Sequence, residues 1–424
     1  MNTHRQLRNF WIPWVTTFVL ACFSNAVAQT SYKVTDLGTR NNDNFSMGMG
    51  LNNHGWTENM DGVVNPPINS LFTTPANGHA VINIGELKID LGTLGGQNSW
   101  INWGGINDRG EAVGMAETSV PDPDGEDVCA FGTGLTCRAF LWRDGHMSAL
   151  PTVGGNNGQA SAINNRGEVA GFAETAVPDS SCPASAPSKT DSAVLWEEGQ
   201  AQPLPTVGGD PDGVAFGIND RGQAVGYSGT CTRALHAVLW ENGTAFPLPG
   251  LGIARSNIAY AISDRGQIVG QSRSPDGTTF LAVLWQHGAV TNLGTLPGDH
   301  AAFATGINNQ GQVVGSTFDS GFNWSHGFIW QDGVMTDLNT LFPADSNLFV
   351  ISATKINERG QISGMATVLS GPDAGNIHSF LATPVNANIG RSVADVAPVH
   401  PKSNLPAHAC HQALRRFGLG RFEQ

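Results

Sequence analysis

Seven times along this chain an apolar residue leads into a short polar phrase that closes on glycine. The copies are Leu51-Asn52-Asn53-His54-Gly55, Ile106-Asn107-Asp108-Arg109-Gly110, Ile163-Asn164-Asn165-Arg166-Gly167, Ile218-Asn219-Asp220-Arg221-Gly222, Ile262-Ser263-Asp264-Arg265-Gly266, Ile307-Asn308-Asn309-Gln310-Gly311 and Ile356-Asn357-Glu358-Arg359-Gly360. They recur roughly 44 to 57 residues apart, too long for a simple solenoid unit and suited to a four-stranded unit. Asn, Asp or Ser opens a tight turn, and the glycine supplies the positive φ that ends it. A short apolar run follows each phrase, as in Gln312-Val313-Val314-Gly315, of strand and not helix length.

A second phrase lies between the copies. Arg138-Ala139-Phe140-Leu141-Trp142 runs through Asp144-Gly145 into His146-Met147-Ser148-Ala149, and equivalents pivot on Glu198-Gly199, Asn242-Gly243, His287-Gly288 and Asp332-Gly333. An X-Gly pair between apolar runs marks a two-residue hairpin. Each unit therefore carries strand A before the Asn-turn, strand B after it, strand C with Phe-Leu-Trp, and strand D. The ends of the repeat region are complementary. Tyr32-Lys33-Val34-Thr35-Asp36-Leu37 reads as a D strand with no C strand before it, and His378-Ser379-Phe380-Leu381 as a C strand with no D strand after it. The expectation is an all-β fold: a seven-bladed β-propeller of four-stranded blades, closed by pairing of the N-terminal with the C-terminal strand.

These phrases resemble the HAF-repeat family, the probable extracellular repeat proteins of bacteria. The His-Ala-Phe signature is echoed by His236-Ala237-Val238, His326-Gly327-Phe328 and His378-Ser379-Phe380. The resemblance covers about Tyr32 to Pro384. It implies export and repeat architecture, and no activity or catalytic residues.

Three segments follow. Residues 1–28 read as a signal peptide, with Arg5 and Arg8, an apolar stretch from Phe10 to Phe23 and a small-x-small cleavage site at Ala26-Val27-Ala28. Val19-Leu20-Ala21-Cys22 also resembles a lipobox, so an outer-membrane lipoprotein anchored at Cys22 is the alternative to free secretion into the periplasm or medium. Residues 29–384 form the propeller, expected as a monomer without a transmembrane span, and residues 385–424, which lack the repeat, read as a disordered tail. The net charge of −13 argues against nucleic acid as a partner.

The long B–C loops and the D–A connections share one face, expected to carry function because variable loops on a rigid scaffold usually do. Cys129, Cys137, Cys182 and Cys231 all fall in B–C loops, with Cys129–Cys137 and Cys182–Cys231 the preferred of three pairings. Trp100, Trp103 and Trp324 are candidate stacking platforms, with core packing as the competing reading. Asp122, Asp124 and Asp127 resemble the start of a Ca²⁺ loop, although ordinary turn chemistry also explains them; no other cofactor is indicated. The five turn arginines are expected to face solvent or a neighbouring blade's carboxylate. No G-x-S-x-G, H-E-x-x-H or P-loop is present. The sequence therefore points to a secreted, non-catalytic protein that binds a glycan, peptide or protein on the B–C/D–A face. A polysaccharide hydrolase or lyase, whose acids would come from different blades, is the alternative.

Overall fold

The computed structural model describes residues 30–40, 43–63, 76–101, 105–183, 188–231, 233–252 and 256–385. The proposed leader, Trp103 and most of the tail lie outside them. The described residues form twenty-eight strands and a single 3-10 turn, Leu338–Leu341. No helix among them is long and apolar enough to cross a membrane.

Five separate antiparallel sheets each hold four strands in sequence order; one, for example, runs Asp212–Ile218, Ala224–Thr230, Arg233–Glu241 and Thr244–Pro247. The Asn-turns join A to B as expected. In the first, the Asn52 N–H bonds Trp56 O, the Gly55 N–H bonds Asn52 O, and Gly55 has φ +81°. The C–D turns place both central residues at positive φ, with Asp144 at +51° and Gly145 at +79°, the geometry that matches the twist of paired strands.

The remaining strands form an eight-stranded sheet. Within it, Ser31–Gly38 pairs antiparallel with Ile377–Val385, Val34 opposite Ala382 and Asp36 opposite Phe380. The strand takes in Val385, assigned to the tail by sequence. His378 Nδ1 meets the Asp36 carboxylate at 2.9 Å across this pairing. A single parallel bridge, Phe45 to Ile377, joins this group of four strands to the group that starts at Phe45–Leu51.

Packing between sheets follows from side-chain size. At the strand-B glycines there is no room for a side chain: an added Cβ would lie 1.9 Å from Val214 O at Gly226 and 2.0 Å from Gln159 O at Gly171. Trp196, Trp240 and Trp285 are at most 2% exposed, and each donates its ring N–H to the backbone oxygen of Pro151, Pro205 or Pro249 in the preceding connection. The largest apolar cluster draws Met47, Met115, Phe216, Tyr260, Phe303 and Ile351 from different sheets into one core.

Candidate functional site

The two faces are built differently. On the loop face, two B strands run long, Ala112–Pro121 and Val169–Pro178, beside C strands Leu135–Arg143 and Lys189–Glu197. They end in twin segments, Glu117-Thr118-Ser119-Val120-Pro121-Asp122 and Glu174-Thr175-Ala176-Val177-Pro178-Asp179. Val120 and Val177 are 58% and 59% exposed. Both expected disulfides are present. Cys129–Cys137 closes one loop, and Cys182–Cys231 ties the next loop to the following sheet, with Cα separations of 5.5 and 5.1 Å. A cluster formed by Asp179, Cys182 and Cys231 is therefore not a ligand set, because its sulfurs are bonded to each other.

Carboxylates gather between the twin segments, with Asn157 as their hub. Its Nδ2 donates to Asp122 Oδ2 at 2.9 Å and to Glu174 Oε1 at 2.9 Å, while its Oδ1 accepts the Cys137 N–H at 2.8 Å. Asp122 Oδ1 caps the N–H groups of Asp124 and Glu126. The structure corrects the expected trio: oxygens of Asp122, Asp124 and Glu126 lie within 4.8 Å of one another. Asp127 turns away, and its Oδ2 accepts the Gly132 N–H at 2.8 Å. The reversal at Gly125, with φ +74°, brings Glu126 back towards Asp122. This set does not fit a resident Ca²⁺ ion, which wants six to eight oxygens. Both oxygens of Asp122 already accept hydrogen bonds, and Asp124 Oδ2 is taken by Lys189 Nζ at 2.5 Å and Asn156 Nδ2 at 2.7 Å. The Lys189 ammonium stands where a cation would help most.

Burial, and then the hydrogen-bonded Glu174 carboxyl beside it, push Glu126 up to about 7. An acid raised on folding binds protons that the unfolded chain releases, so it favours the fold at low pH and loses that contribution as pH climbs from its ordinary range to about 7. Glu126→Gln is expected to flatten this part of the stability profile and raise the urea midpoint at pH 7.5 but not at pH 4; an unchanged slope would refute the assignment. The pair does not suit glycoside hydrolysis, since its carboxyls touch each other where that chemistry needs them roughly 5 Å or more apart.

Trp100 and Trp324 are 4% and 8% exposed, packed on Phe131 and Phe318 at ring-centroid distances of 5.9 and 4.5 Å. Neither presents an open ring face, and the third candidate, Trp103, lies outside the described residues. His236 and His326 look at first like parts of catalytic triads, but the order is wrong. Asp210 Oδ2 accepts both His236 Nδ1 and the Ser228 hydroxyl, and Asp299 Oδ2 accepts both His326 Nδ1 and the Thr317 hydroxyl. The hydroxyl proton is committed to the carboxylate, so the imidazole cannot take it. These are struts between strands.

On the opposite face all seven Asn-turns converge on one depression of about 170 Å³. Two rings of hydrogen bonds define it. In the inner ring the turn asparagine donates to the next turn's carbonyl: Asn52 to Asn107, Asn107 to Asn164, Asn164 to Asn219, Asn219 to Ser263, then Asn308 to Asn357 and Asn357 to Asn52. In the outer ring each backbone N–H bonds the following turn's side chain: Asn53 to Asp108, to Asn165, to Asp220, to Asp264, to Asn309, to Glu358, and back to Asn53. Amides and carboxylates alternate around it until an odd number of positions forces Asp220 and Asp264 together.

The turn arginines support these rings. Arg109 and Arg166 face solvent over about half of their side chains, one of the two expected placements, and bond Glu111 and Glu168 two residues on, at 2.5 Å each. Each guanidinium lies over the next turn's glycine, where an added Cβ would stand 2.4 Å away at Gly167 and Gly222.

No family model matches the chain, and no curated protein matches it. Among solved structures the chain is similar to the β-propeller domain of the Trilobed protease from Pyrococcus furiosus, described as having an open velcro topology, at 11% identity over 84% of this chain and 97% of that one, TM-score 0.50. Weaker similarities are to the Aleuria aurantia lectin (9% identity, 74% and 98% covered, TM-score 0.36) and to a gluconolactonase from Xanthomonas campestris (11%, 58% and 79%, TM-score 0.31). At these identities the likeness defines the fold alone: the chain is an all-β protein of β-propeller type.

Proposed function

We propose that this is an exported, HAF-type, seven-bladed propeller, closed by its first and last strands, that binds a basic segment of a protein or peptide partner on the loop face without catalysis. Closure is supported by the seven-membered ring of turn-to-turn bonds and by the pairing of Ser31–Gly38 with Ile377–Val385. Export is supported by two disulfides, which persist outside the reducing cytosol. The observation that carries the binding reading is the exposed pair Val120 and Val177 at the ends of the twin segments, with the exposed carboxylates of Asp124 and Asp127 in the loop that follows Val120. Apolar tips beside carboxylates, on loops fixed by disulfides, fit a partner that brings lysine or arginine next to apolar side chains. Sugar recognition would call for exposed aromatic platforms, and Trp100 and Trp324 are buried.

The test is a parallel binding screen of the secreted protein against basic, neutral and acidic peptide arrays and against a glycan array. Basic peptides are expected to bind, with an affinity that falls with salt. The double variant Val120→Ser, Val177→Ser should lose about 1–3 kcal/mol of binding, about five- to 150-fold, while its melting temperature stays unchanged. Binding to glycans alone, or indifference to the double variant, would overturn this reading.

A further inference from the structure

The seam between the first and last groups of strands uses other residues than the rest of the ring. Two residues after the turn glycine, strand B carries Ala112, Val169, Ala224, Ile268, Val313 and Ile362. Two further on it carries glycine, and two beyond that alanine, serine or threonine. The first group has Thr57, Asn59 and Asp61 at these places. Opposite the first of them on strand C stand Trp142, Trp196, Trp240, Trp285 and Trp330, but Asn83 in the first group. Cross-strand partners share a face of a sheet, so the pairs Ser46–Asp61, Gly48–Asn59 and Thr57–Asn83 lie on one face. That face meets the last group: Ser46 Oγ lies 2.9 Å from Ser379 Oγ, and a Cβ on Gly48 would stand 2.7 Å from Gly364 O.

Polar contacts close this seam. The Ser46 hydroxyl lies 2.6 Å from Asp61 Oδ1, Asn83 Nδ2 donates to Thr57 Oγ1 at 3.1 Å, and Lys88 Nζ reaches across to Gly38 O at 3.4 Å. Other capacity goes unused. Asn59 and Asp61 are 0% exposed, yet neither amide atom of Asn59, nor Asp61 Oδ2, has a hydrogen-bond partner among the described residues. Lys88 Nζ stays 3.7 Å from that oxygen. Burial pushes the Asp61 carboxyl above its ordinary range, against the pull of the Lys88 ammonium. Such groups give up hydration without replacement.

Parting two sheets therefore costs different amounts around the ring. At the interfaces sealed by Trp196, Trp240 or Trp285 it exposes a large apolar ring and breaks its bond to a proline oxygen. At this seam it lets water reach Asn59 and Asp61, which offsets part of the cost. We propose that the ring opens here, the first and last groups separating across the Ser46–Ser379 contact while the tryptophan-sealed interfaces stay shut. Strand Ser31–Gly38 stays on the last group, where Tyr32 anchors it. The seam is then a gate that moves well below the free energy of global unfolding. This inference rests on the closed ring proposed above.

Buried thiols read the gate. Ser46→Cys and Ser379→Cys place one on either side of the seam. Ser272→Cys places one at the interface that Trp285 seals, where the Ser272 Oγ accepts the Leu251 N–H at 3.0 Å. All three serines are 0% exposed. Each full-chain variant is treated with a maleimide in native buffer, and labelling is followed peptide by peptide by mass spectrometry, so that Cys410 does not interfere. Both seam variants should label at least tenfold faster than Ser272→Cys. Melting temperatures identify a variant that misfolds, and the other seam variant then decides. Equal rates, or slower labelling at the seam, would overturn the proposal. Oxidation of the double variant Ser46→Cys, Ser379→Cys tests the ring itself. A cross-link is expected. Its absence would remove the closed ring and the gate together, whereas a cross-link with equal labelling rates would remove the gate alone.

Discussion

Tyr32→Ala is expected to cost about 3–5 kcal/mol of unfolding free energy, the range for deleting a buried aromatic ring. Tyr32 is 2% exposed and packs in a cluster with Phe380, Ile356, Ile362 and Leu348, residues that are its neighbours only because the two ends of the chain meet. Its strand adds six further register pairs with Ile377–Val385; Lys33, Thr35 and Asp36 on it are exposed and Val34 is partly buried against the same cluster, so Tyr32 is the strand's one fully buried side chain. Burial also pushes its hydroxyl up to about 12, so the phenol stays neutral and the loss is one of packing at any ordinary pH. Urea unfolding of Tyr32→Ala beside Leu87→Ala, whose side chain is 59% exposed, separates the effects. The second variant should change stability by less than ~0.5 kcal/mol. A loss below ~1 kcal/mol in Tyr32→Ala would mean that the first strand does not hold the last one, and proposed closure would fall.

What the sequence made legible was whatever a short stretch decides by itself. Gly55 and Gly145 had to take positive φ wherever the turn formed, so turns and strands could be placed without knowing what surrounds them. The meeting of Tyr32 with Pro384 was legible for a different reason: each end lacked the strand the other supplied. The disulfide pairing was legible as a preference among three, because the cysteines are confined to neighbouring loops. Features that depend on which side chains face each other across sheets were hidden. Asn53 and Asp108 suit a turn equally well, so nothing local revealed that their alternation builds a rim with a forced Asp220–Asp264 contact. Asp127 and Glu126 differ by one position, and only the reversal at Gly125 decides which reaches Asp122. Trp100 and Trp324 read alike as platform or core until their neighbours, Phe131 and Phe318, were placed.

Asn164→Ala is expected to destabilise the fold by about 3 kcal/mol or more, because one side chain there serves four groups. Its Oδ1 accepts the N–H groups of Arg166 and Glu168, each at 3.0 Å, and its Nδ2 donates to Asn219 O at 3.0 Å and to Glu168 Oε2 at 2.5 Å. Removing it strands buried donors and an acceptor at about 1–3 kcal/mol each, partly relieved by water at the turn. The chain already contains a milder version of this change. At Ser263 the hydroxyl still accepts the Gln267 N–H at 3.2 Å, but it is too short to reach the next carbonyl, Asn308 O, so the inner ring has a gap. Asn164→Ser should therefore cost less than Asn164→Ala, since serine keeps an acceptor for the turn and loses the inter-sheet bond. Ser263→Asn should do the reverse: it supplies the missing donor and is expected to add about 1 kcal/mol. Urea midpoints of the three variants would order as Ser263→Asn, wild type, Asn164→Ser, Asn164→Ala. If Ser263→Asn does not stabilise while Asn164→Ala still costs its full amount, the asparagines act only within their own turns, and the bonds from sheet to sheet add nothing to the ring.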